Sequence, residues 1–222
     1  MRNITFYRYM PLKNLDTLKE QLFAIAKTHG VTGKILIAEE GINTSLEGDH
    51  CQNVVCEMEQ LLKTKFDVKT TDSKYPSFKR MLVKIRKEIV TSDLGNVTPG
   101  EYIEPKELCE ILDKKKKIIL LDARNDYEHE MGTFEGAIHL DIQKFRDFKA
   151  NVYKLDKYKK TPIVTFCTGG IRCEKASGYL RDQGFSVKQL HGGILGYREQ
   201  CGNKHWRGKC FVFDKREVVE ME

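Results

Sequence analysis

One cysteine stands between a predicted buried strand and a predicted helix, a placement that suits a reactive thiolate. Cys167 follows the short, apolar and β-branched run 161–166, and a helix is predicted from Glu174 to Asp182. Gly169 and Gly170 can take backbone angles closed to other residues, so the loop can direct its N–H groups at an anion. Those N–H groups, the helix N-terminus and Arg172 would all favour the ionised thiol. The pattern predicts that Cys167 is a nucleophile at neutral pH.

The length of this loop limits which chemical groups can fit beside Cys167. The predicted active-site loop consists of the catalytic Cys167 and the residues after it, namely Thr168, Gly169, Gly170, Ile171, Arg172 and Cys173. Cysteine-based phosphatases have one more residue between cysteine and arginine, which makes room for a tetrahedral phosphate. The shorter loop fits a single sulfur atom or another small group, so Cys167 can act as a thiolate or as a persulfide. Two roles are possible for Cys173: it could resolve a persulfide or disulfide on Cys167, or it could simply pack in the helix.

A second segment supplies residues that can lock the loops around Cys167. The run 118–121 is a predicted strand, and Asp122, Arg124 and Glu128 follow it before Gly136 and Ala137. Acidic and basic side chains at the carboxyl end of a parallel strand lie where open α/β sheets place their active sites. With the cysteine loop and the later run 190–194, this segment resembles the rhodanese family. Thr133 and Phe134 depart from the His-Ile that rhodaneses usually show there.

The N-terminal part has a different pattern. Strands are predicted at 3–9, 34–38, 44–47 and 81–89, and helices at 16–29 and 49–63. This βαββαβ order predicts an α+β, ferredoxin-like domain over 1–92. A polar, turn-rich linker over 93–100 precedes an α/β rhodanese-like domain with a mostly parallel sheet over 101–200. Residues 201–222 form a C-terminal extension, in which Trp206 and its aromatic neighbours are expected to anchor the segment.

A basic stretch in the N-terminal domain could meet nucleic acid. Residues 63–87 contain nine Lys or Arg against two Asp, a local net charge of +7 within a chain of net charge +6. Tyr75 and Phe78 are interleaved with the bases, a composition suited to RNA as well as to a solvated strand and loop. The predicted RNA-binding residues are Lys74, Lys79, Arg80 and Lys84.

Composition excludes other classes of protein. No apolar run approaches the length of a membrane span and no apolar segment opens the chain, so we expect a soluble, cytoplasmic protein. Seven cysteines at scattered spacings favour reduced thiols over a disulfide framework. Cys201, His205 and Cys210 lack a paired Cys-x-x-Cys, so the sequence predicts no metal site.

Three motifs together resemble a narrower family, the bacterial rhodanese-domain tRNA uridine hydroxylases. They are the run 38–43, the loop 167–176, and the ending that contains Trp206, Gly208 and Asp214. The resemblance implies an oxidoreductase that uses molecular oxygen to convert the wobble uridine of tRNA to 5-hydroxyuridine, with Cys167 essential and the anticodon arm bound. The family usually continues into a cysteine-rich tail, so we expect this extension to be truncated. The alternative, favoured by the loop alone, is a persulfide-forming sulfurtransferase.

Overall fold

A computed structural model describes residues 1–72, 75–95, 97–212, 218 and 219, and these residues form two compact units. The first unit is Met1–Thr91, and the second contains Ser92–Val212 with residues 218 and 219. Lys74, one residue of the predicted linker and most of the C-terminal extension beyond residue 212 lie outside the described residues. None of the helices within the described ranges is both long enough and apolar enough to cross a membrane.

The first unit is a five-stranded sheet with both helices packed on one face. Its strands are β1 (Arg2–Tyr9), β2 (Thr32–Ala38), β3 (Gly41–Glu47), β4 (Lys69–Asp72) and β5 (Met81–Ile85), and its helices are α1 (Leu15–Thr28) and α2 (Cys51–Leu62). Alternate strand residues such as Ile4, Ile35 and Leu46 meet the apolar helix stripes in one core. Within the described residues of the unit, the sheet therefore keeps a second face that no helix covers.

Strand order confirms the ferredoxin-like fold and corrects one of its strands. The order is β4-β1-β3-β2-β5, and the first four strands are antiparallel neighbours. The closing strand of the βαββαβ unit is β4, which pairs with β1. The segment predicted to close the sheet, 81–89, instead forms β5, which is added in parallel to β2 at the opposite edge. Because β4 is polar, alternation of apolar residues could not find it.

The second unit is built on a five-stranded sheet in which every pairing is parallel. Its strands run in the order β6 (Glu101–Ile103), β11 (Val187–Leu190), β10 (Ile163–Phe166), β7 (Ile119–Asp122) and β9 (Ile138–His139). Two antiparallel pairs complete it, β8 (Gly132–Phe134) with β12 (Trp206–Gly208), and β13 (Cys210–Phe211) with β14 (Val218–Val219). This sheet confirms the predicted α/β architecture.

Helices connect these strands. They are α3 (Pro105–Asp113), α4 (Asp126–Met131), α5 (Phe148–Asn151), α6 (Ile171–Asp182) and α7 (Gly193–Cys201), with 3-10 turns at Phe145–Asp147 and Val152–Tyr158. Part of the predicted linker is bound to α6, since the Gly100 N–H donates to Ser177 Oγ over 2.9 Å and Lys175 Nζ donates to the Gly95 carbonyl over 2.9 Å. The segment before β6 is thus fixed to the second unit.

Candidate active site

Cys167 lies where β10 ends, and the chain then turns at Gly170 into α6. Gly170 has a φ of 97°, a left-handed angle that glycine adopts without steric cost, and it directly precedes the first residue of α6. The Gly170 N–H donates to Cys167 Sγ over 3.2 Å, and the N–H groups of Arg172 and Cys173 point at the same sulfur. Three backbone N–H groups within four residues therefore present donors to one atom, as the glycine pattern predicts.

These donors make Cys167 acidic despite its burial. Burial raises the pKa of the Cys167 thiol, but a hydrogen bond with the Cys173 thiol, the charge of Arg172 and the two backbone N–H groups outweigh it and lower the pKa to about 6. The pKa of Cys173 moves the other way, because burial and the neighbouring Cys167 thiolate both disfavour a second negative charge. At neutral pH the pair holds one thiolate, on Cys167, and one thiol, on Cys173.

Arg172 reaches the site from the first turn of α6, and Glu128 on α4 holds it in place. Arg172 Nη1 donates to Glu128 Oε2 over 2.6 Å and Nη2 donates to Oε1 over 2.8 Å, and both side chains are buried. Burial alone would lower the pKa of Arg172, but the charge of Glu128 raises it, so the guanidinium stays charged. The two-point contact fixes the guanidinium plane beside the cysteine loop.

Asp122 and Arg124 form a second buried ion pair under the same loops. Arg124 Nε and Nη2 donate to the two Asp122 oxygens over 2.8 and 2.6 Å, and Nη2 also donates to the Gly132 carbonyl. Burial raises the pKa of Asp122, yet the Arg124 charge and hydrogen bonds overcome this and lower it to about 2. Thr133 Oγ1 donates to Asp122 Oδ2 over 2.9 Å, so the residue that departs from the rhodanese pattern still makes a polar contact here.

Gly193, which the sequence analysis did not single out as a functional residue, holds the loop from the other side. At the start of α7, the N–H groups of Ile194 and Leu195 donate to the carbonyls of Cys167 and Thr168 over 2.9 and 3.0 Å. Gly193 has a φ of 62°, and a Cβ there would lie 2.4 Å from the Cys167 carbonyl oxygen. The Gly192-Gly193 pair at the start of α7 was the signal in the sequence for this contact, because such a close approach of two backbones requires a residue without a side chain.

The end of the described chain covers this site. Thr168 Oγ1 donates to the Phe211 carbonyl over 3.3 Å, and the Phe211 ring makes an edge contact with Tyr127 at 5.1 Å between centroids. Cys167 has no exposed surface. Gly169 is the open part of the loop, since nothing lies within 4 Å of where its Cβ would be. The Cys167 side chain is thus buried beneath a loop that contacts the segment around Phe211.

The predicted RNA-binding residues lie in the first unit. Lys79 and Arg80 are exposed just before β5, and Lys84 is half-buried on β5. Strand register places Lys84 in one row with Leu36, Asn43 and Tyr7, on the sheet face opposite the helices.

Further basic and aromatic residues belong to this face. The pKa of Lys34 is lowered, first by partial burial of its amine and then by the nearby charges of Lys84 and Arg86. The rings of Tyr7 and Tyr9 make an edge contact, with centroids 6.1 Å apart. Sequence reasoning missed the tyrosines, although their alternation with Phe6 and Arg8 was visible in the strand. The face combines positive charge with aromatic rings.

Two family models match the chain in the order of its two units. The model described as UPF0176 acylphosphatase like domain matches residues 1–89, and the model described as rhodanese-like domain matches residues 104–200. A rhodanese-like domain protein from Staphylococcus aureus is a similar solved structure, with 25% identity and a TM-score of 0.41 over 49% of this chain and 98% of that one.

Similar curated proteins match nearly the whole chain. The tRNA uridine(34) hydroxylase of Legionella pneumophila (strain Paris) is 41% identical over 231 residues, which cover 98% of this chain and 90% of that protein. The tRNA uridine(34) hydroxylase of Bacillus licheniformis is 40% identical over 235 residues, which cover 99% of this chain and 72% of that protein.

Proposed function

The chain belongs to the family of the tRNA uridine(34) hydroxylases, and we propose that it hydroxylates the wobble uridine of tRNA through Cys167. The observation that carries the role of Cys167 is its low pKa at the centre of converging donors. A thiolate of this kind is a nucleophile at the pH of the cytoplasm, where tRNA is found. The product of the reaction is 5-hydroxyuridine.

The Cys167 thiolate adds to C6 of the uracil ring, which makes C5 electron-rich. An oxygen atom then bonds to C5, the C5 proton leaves, and expulsion of the thiolate restores the double bond. With molecular oxygen as oxidant, as the family resemblance implies, the second oxygen atom leaves as water. The two electrons that this requires come from a two-electron reductant of the thiol class.

The residues around Cys167 prepare it for this addition. Arg172 and the loop N–H groups stabilise the thiolate before attack and again when it leaves. Glu128 neutralises part of the Arg172 charge, which keeps the thiolate reactive instead of permanently paired. Asp122 and Arg124 hold the end of α4, the helix that carries Glu128, through the Gly132 carbonyl. In this proposal these residues are positioning groups, whereas Cys167 is the group that touches the base.

We place the anticodon arm on the open sheet face of the first unit. The row from Tyr7 to Lys84 crosses four strands, about 14 Å at the usual strand spacing, and offers rings for stacking beside cations for phosphates. Sheets that carry aromatic residues bind single-stranded RNA in this way. Lys79 and Arg80 extend the basic surface beyond the edge of the sheet.

The test compares a Cys167→Ser variant with the parent chain and with Cys51→Ser, which changes a buried cysteine of the first unit. Each purified protein is incubated with unmodified tRNA, oxygen and a thiol reductant, and 5-hydroxyuridine is measured by mass spectrometry of the nucleosides. We expect product from the parent and from Cys51→Ser, and none from Cys167→Ser with its melting temperature unchanged. Undiminished product from Cys167→Ser would contradict the role of Cys167.

A sulfurtransferase remains the second candidate because the loop is small enough for one added sulfur atom. In that reaction a sulfane donor such as thiosulfate transfers sulfur to the Cys167 thiolate, releases sulfite, and leaves a persulfide for an acceptor thiol. Mass spectrometry of the intact protein after incubation with thiosulfate would reveal a mass gain of one sulfur that Cys167→Ser lacks. No gain in the parent chain removes this candidate.

A further inference from the structure

A second group of reactive side chains lies at the other end of α7 from the cysteine loop. It consists of Cys109 and Asp113 on α3, Cys201 at the end of α7, and His205 just after it. One ligand atom from each of Cys109, Asp113 and His205 lies within 4.8 Å of the other two. The thiol of Cys201 lies close to that of Cys109 but outside this group of three. Three side chains with metal-binding atoms therefore converge outside the active site, and the thiol of Cys201 lies beside one of them.

The three ligand atoms of Cys109, Asp113 and His205 are spaced much as three ligands of a tetrahedral site would be. Asp113 Oδ1 is 2.9 Å from His205 Nε2, and Asp113 Oδ2 is 3.9 Å from Cys109 Sγ. In a tetrahedral zinc site, bonds of about 2.0–2.3 Å place neighbouring ligand atoms roughly 3.3–3.8 Å apart. The two separations bracket this range, so small side-chain rotations would bring these three ligands to an ion, and Cys201 would have to turn toward it as the fourth.

The fold fixes these four residues independently of any ion. Cys109 and Asp113 are one helical turn apart on α3, which places both side chains on the same face of the helix. Cys109 is buried in the core against which Cys201 packs. His205 has a φ of 59°, and its carbonyl accepts a hydrogen bond from the Glu135 N–H over 2.8 Å. Ligands held in this way lose little freedom when a metal binds.

We propose that Cys109, Asp113, Cys201 and His205 bind one Zn²⁺ ion. Two thiolates, one imidazole and one carboxylate suit zinc, which is usually four-coordinate in structural sites, and thiolates disfavour the hard cations Mg²⁺ and Ca²⁺. Two thiolates and a carboxylate around Zn²⁺ carry a net charge of −1. Lys204 Nζ, 3.6 Å from Asp113 Oδ2, offsets that charge if zinc takes the other oxygen.

This proposal departs from the expectation, drawn from the sequence, that the chain has no metal site. The residues weighed from the sequence were Cys201, His205 and Cys210, but Cys210 lies among the charges of Arg124 and Glu128 at the active site. Cys109 and Asp113 come from a helix about ninety residues earlier, as the 92-residue separation of Asp113 and His205 shows, so no short motif could reveal them. With four protein ligands the ion has no open position and would join α3 to the end of α7.

Cobalt substitution tests the proposal on the whole chain. The reduced protein is stripped of metal with a chelator, titrated with Co²⁺, and then titrated with Zn²⁺. We expect one Co²⁺ per chain, with the visible absorption of tetrahedral thiolate-bound cobalt, which Zn²⁺ then removes. Zinc should also raise the melting temperature by roughly 5 °C at saturating concentration. Each thiol that becomes a ligand loses its proton, so zinc binding should release acid.

Variants decide whether these four residues are the ligands. We expect Cys201→Ala and His205→Asn to lose the cobalt spectrum and the rise in melting temperature, whereas Cys56→Ala, at an exposed cysteine of α2, keeps both. Far-UV circular dichroism establishes that each variant is folded. The proposal is overturned if the reduced parent shows no cobalt spectrum, or if the spectrum survives in both ligand variants. Because the readout is metal binding, its failure leaves the proposed hydroxylation untouched.

Discussion

The thiol of Cys173 sets the acidity of Cys167, and replacing it with alanine should raise the pKa of Cys167. Among the favourable contacts of the Cys167 thiolate, the Cys173 hydrogen bond contributes most to lowering its pKa. A hydrogen bond to a charged group contributes about 1.5–3 kcal/mol, and a thiol donor belongs at the lower end of that range. At about 1.4 kcal/mol per pKa unit, Cys173→Ala should raise the pKa from about 6 to about 7.

This shift gives the hydroxylation rate a distinctive dependence on pH. Because the thiolate is the reactive form, the rate should increase as pH rises through the pKa. At pH 7 the ionised fraction falls from about nine tenths to about one half, so Cys173→Ala should lose roughly half of its rate. One pH unit higher, both proteins are mostly ionised and should react equally. Cys173→Ser keeps a hydrogen-bond donor, so the pH dependence of its rate should match that of the parent.

Two measurements check this prediction. The ultraviolet absorbance of the thiolate, taken as the difference from Cys167→Ser at each pH, gives the pKa directly even for a buried sulfur. The rate of 5-hydroxyuridine formation over the same pH range gives the functional profile. Cys51→Ala serves as the control for loss of a buried cysteine. An unchanged pKa in Cys173→Ala, or equal shifts in the alanine and serine variants, would refute the reasoning.

Three further predictions concern the rest of the site and the basic face. Glu128→Gln removes the carboxylate that forms the two-point contact with the buried Arg172 charge, so calorimetry should show a loss of about 3–5 kcal/mol and a melting temperature lower by roughly 10 °C. Glu130→Gln, on the exposed side of the same helix, should change neither value. Gly193→Ala forces a Cβ against the Cys167 carbonyl and should lower the free energy of unfolding by at least about 1 kcal/mol and abolish hydroxylation. Gly169→Ala, where space is open, should retain the parent's melting temperature, and a matching loss there would contradict the contact geometry. Charge reversal at Lys79, Arg80 and Lys84 of the first unit should weaken tRNA binding at low salt. It should also flatten the slope of log affinity against log salt by up to roughly two. Unchanged binding would remove this surface from the proposal.

Parts of the fold with a regular apolar pattern could be predicted from the sequence. The buried run that precedes Cys167 became β10, and the spacing of Leu18, Leu22 and Ala26 became the buried stripe of α1. The strand β4 could not be found in this way, since the four residues Lys69–Asp72 are polar and half-exposed at a sheet edge. Met81–Ile85 has the better apolar alternation, but alternation alone does not say to which edge a strand is added.

Helix α6 shows a different limit of sequence patterns. The helical pattern in the sequence starts at Glu174, whereas α6 starts at Ile171. Arg172 and Cys173 therefore belong to its first turn. Nearly all of α6 is buried, including Arg172, Glu174 and Lys175, and it therefore has no polar stripe that marks its ends. Those polar groups are buried because each has a specific partner, such as Glu128 for Arg172 and the Gly95 carbonyl for Lys175.

The early start of α6 bears on what Cys167 can bind. With α6 beginning at Ile171, the N–H groups of Arg172 and Cys173 are the free donors of a first helical turn, and they meet at Sγ together with the Gly170 N–H. Donors that converge on the sulfur itself stabilise a thiolate, whereas a phosphate loop must spread its donors over several oxygen atoms. A base that reacts with Cys167 must therefore approach from the side that the donors leave open. We propose that uracil enters on the side of Gly169, because nothing lies within 4 Å of where a Cβ on that residue would be.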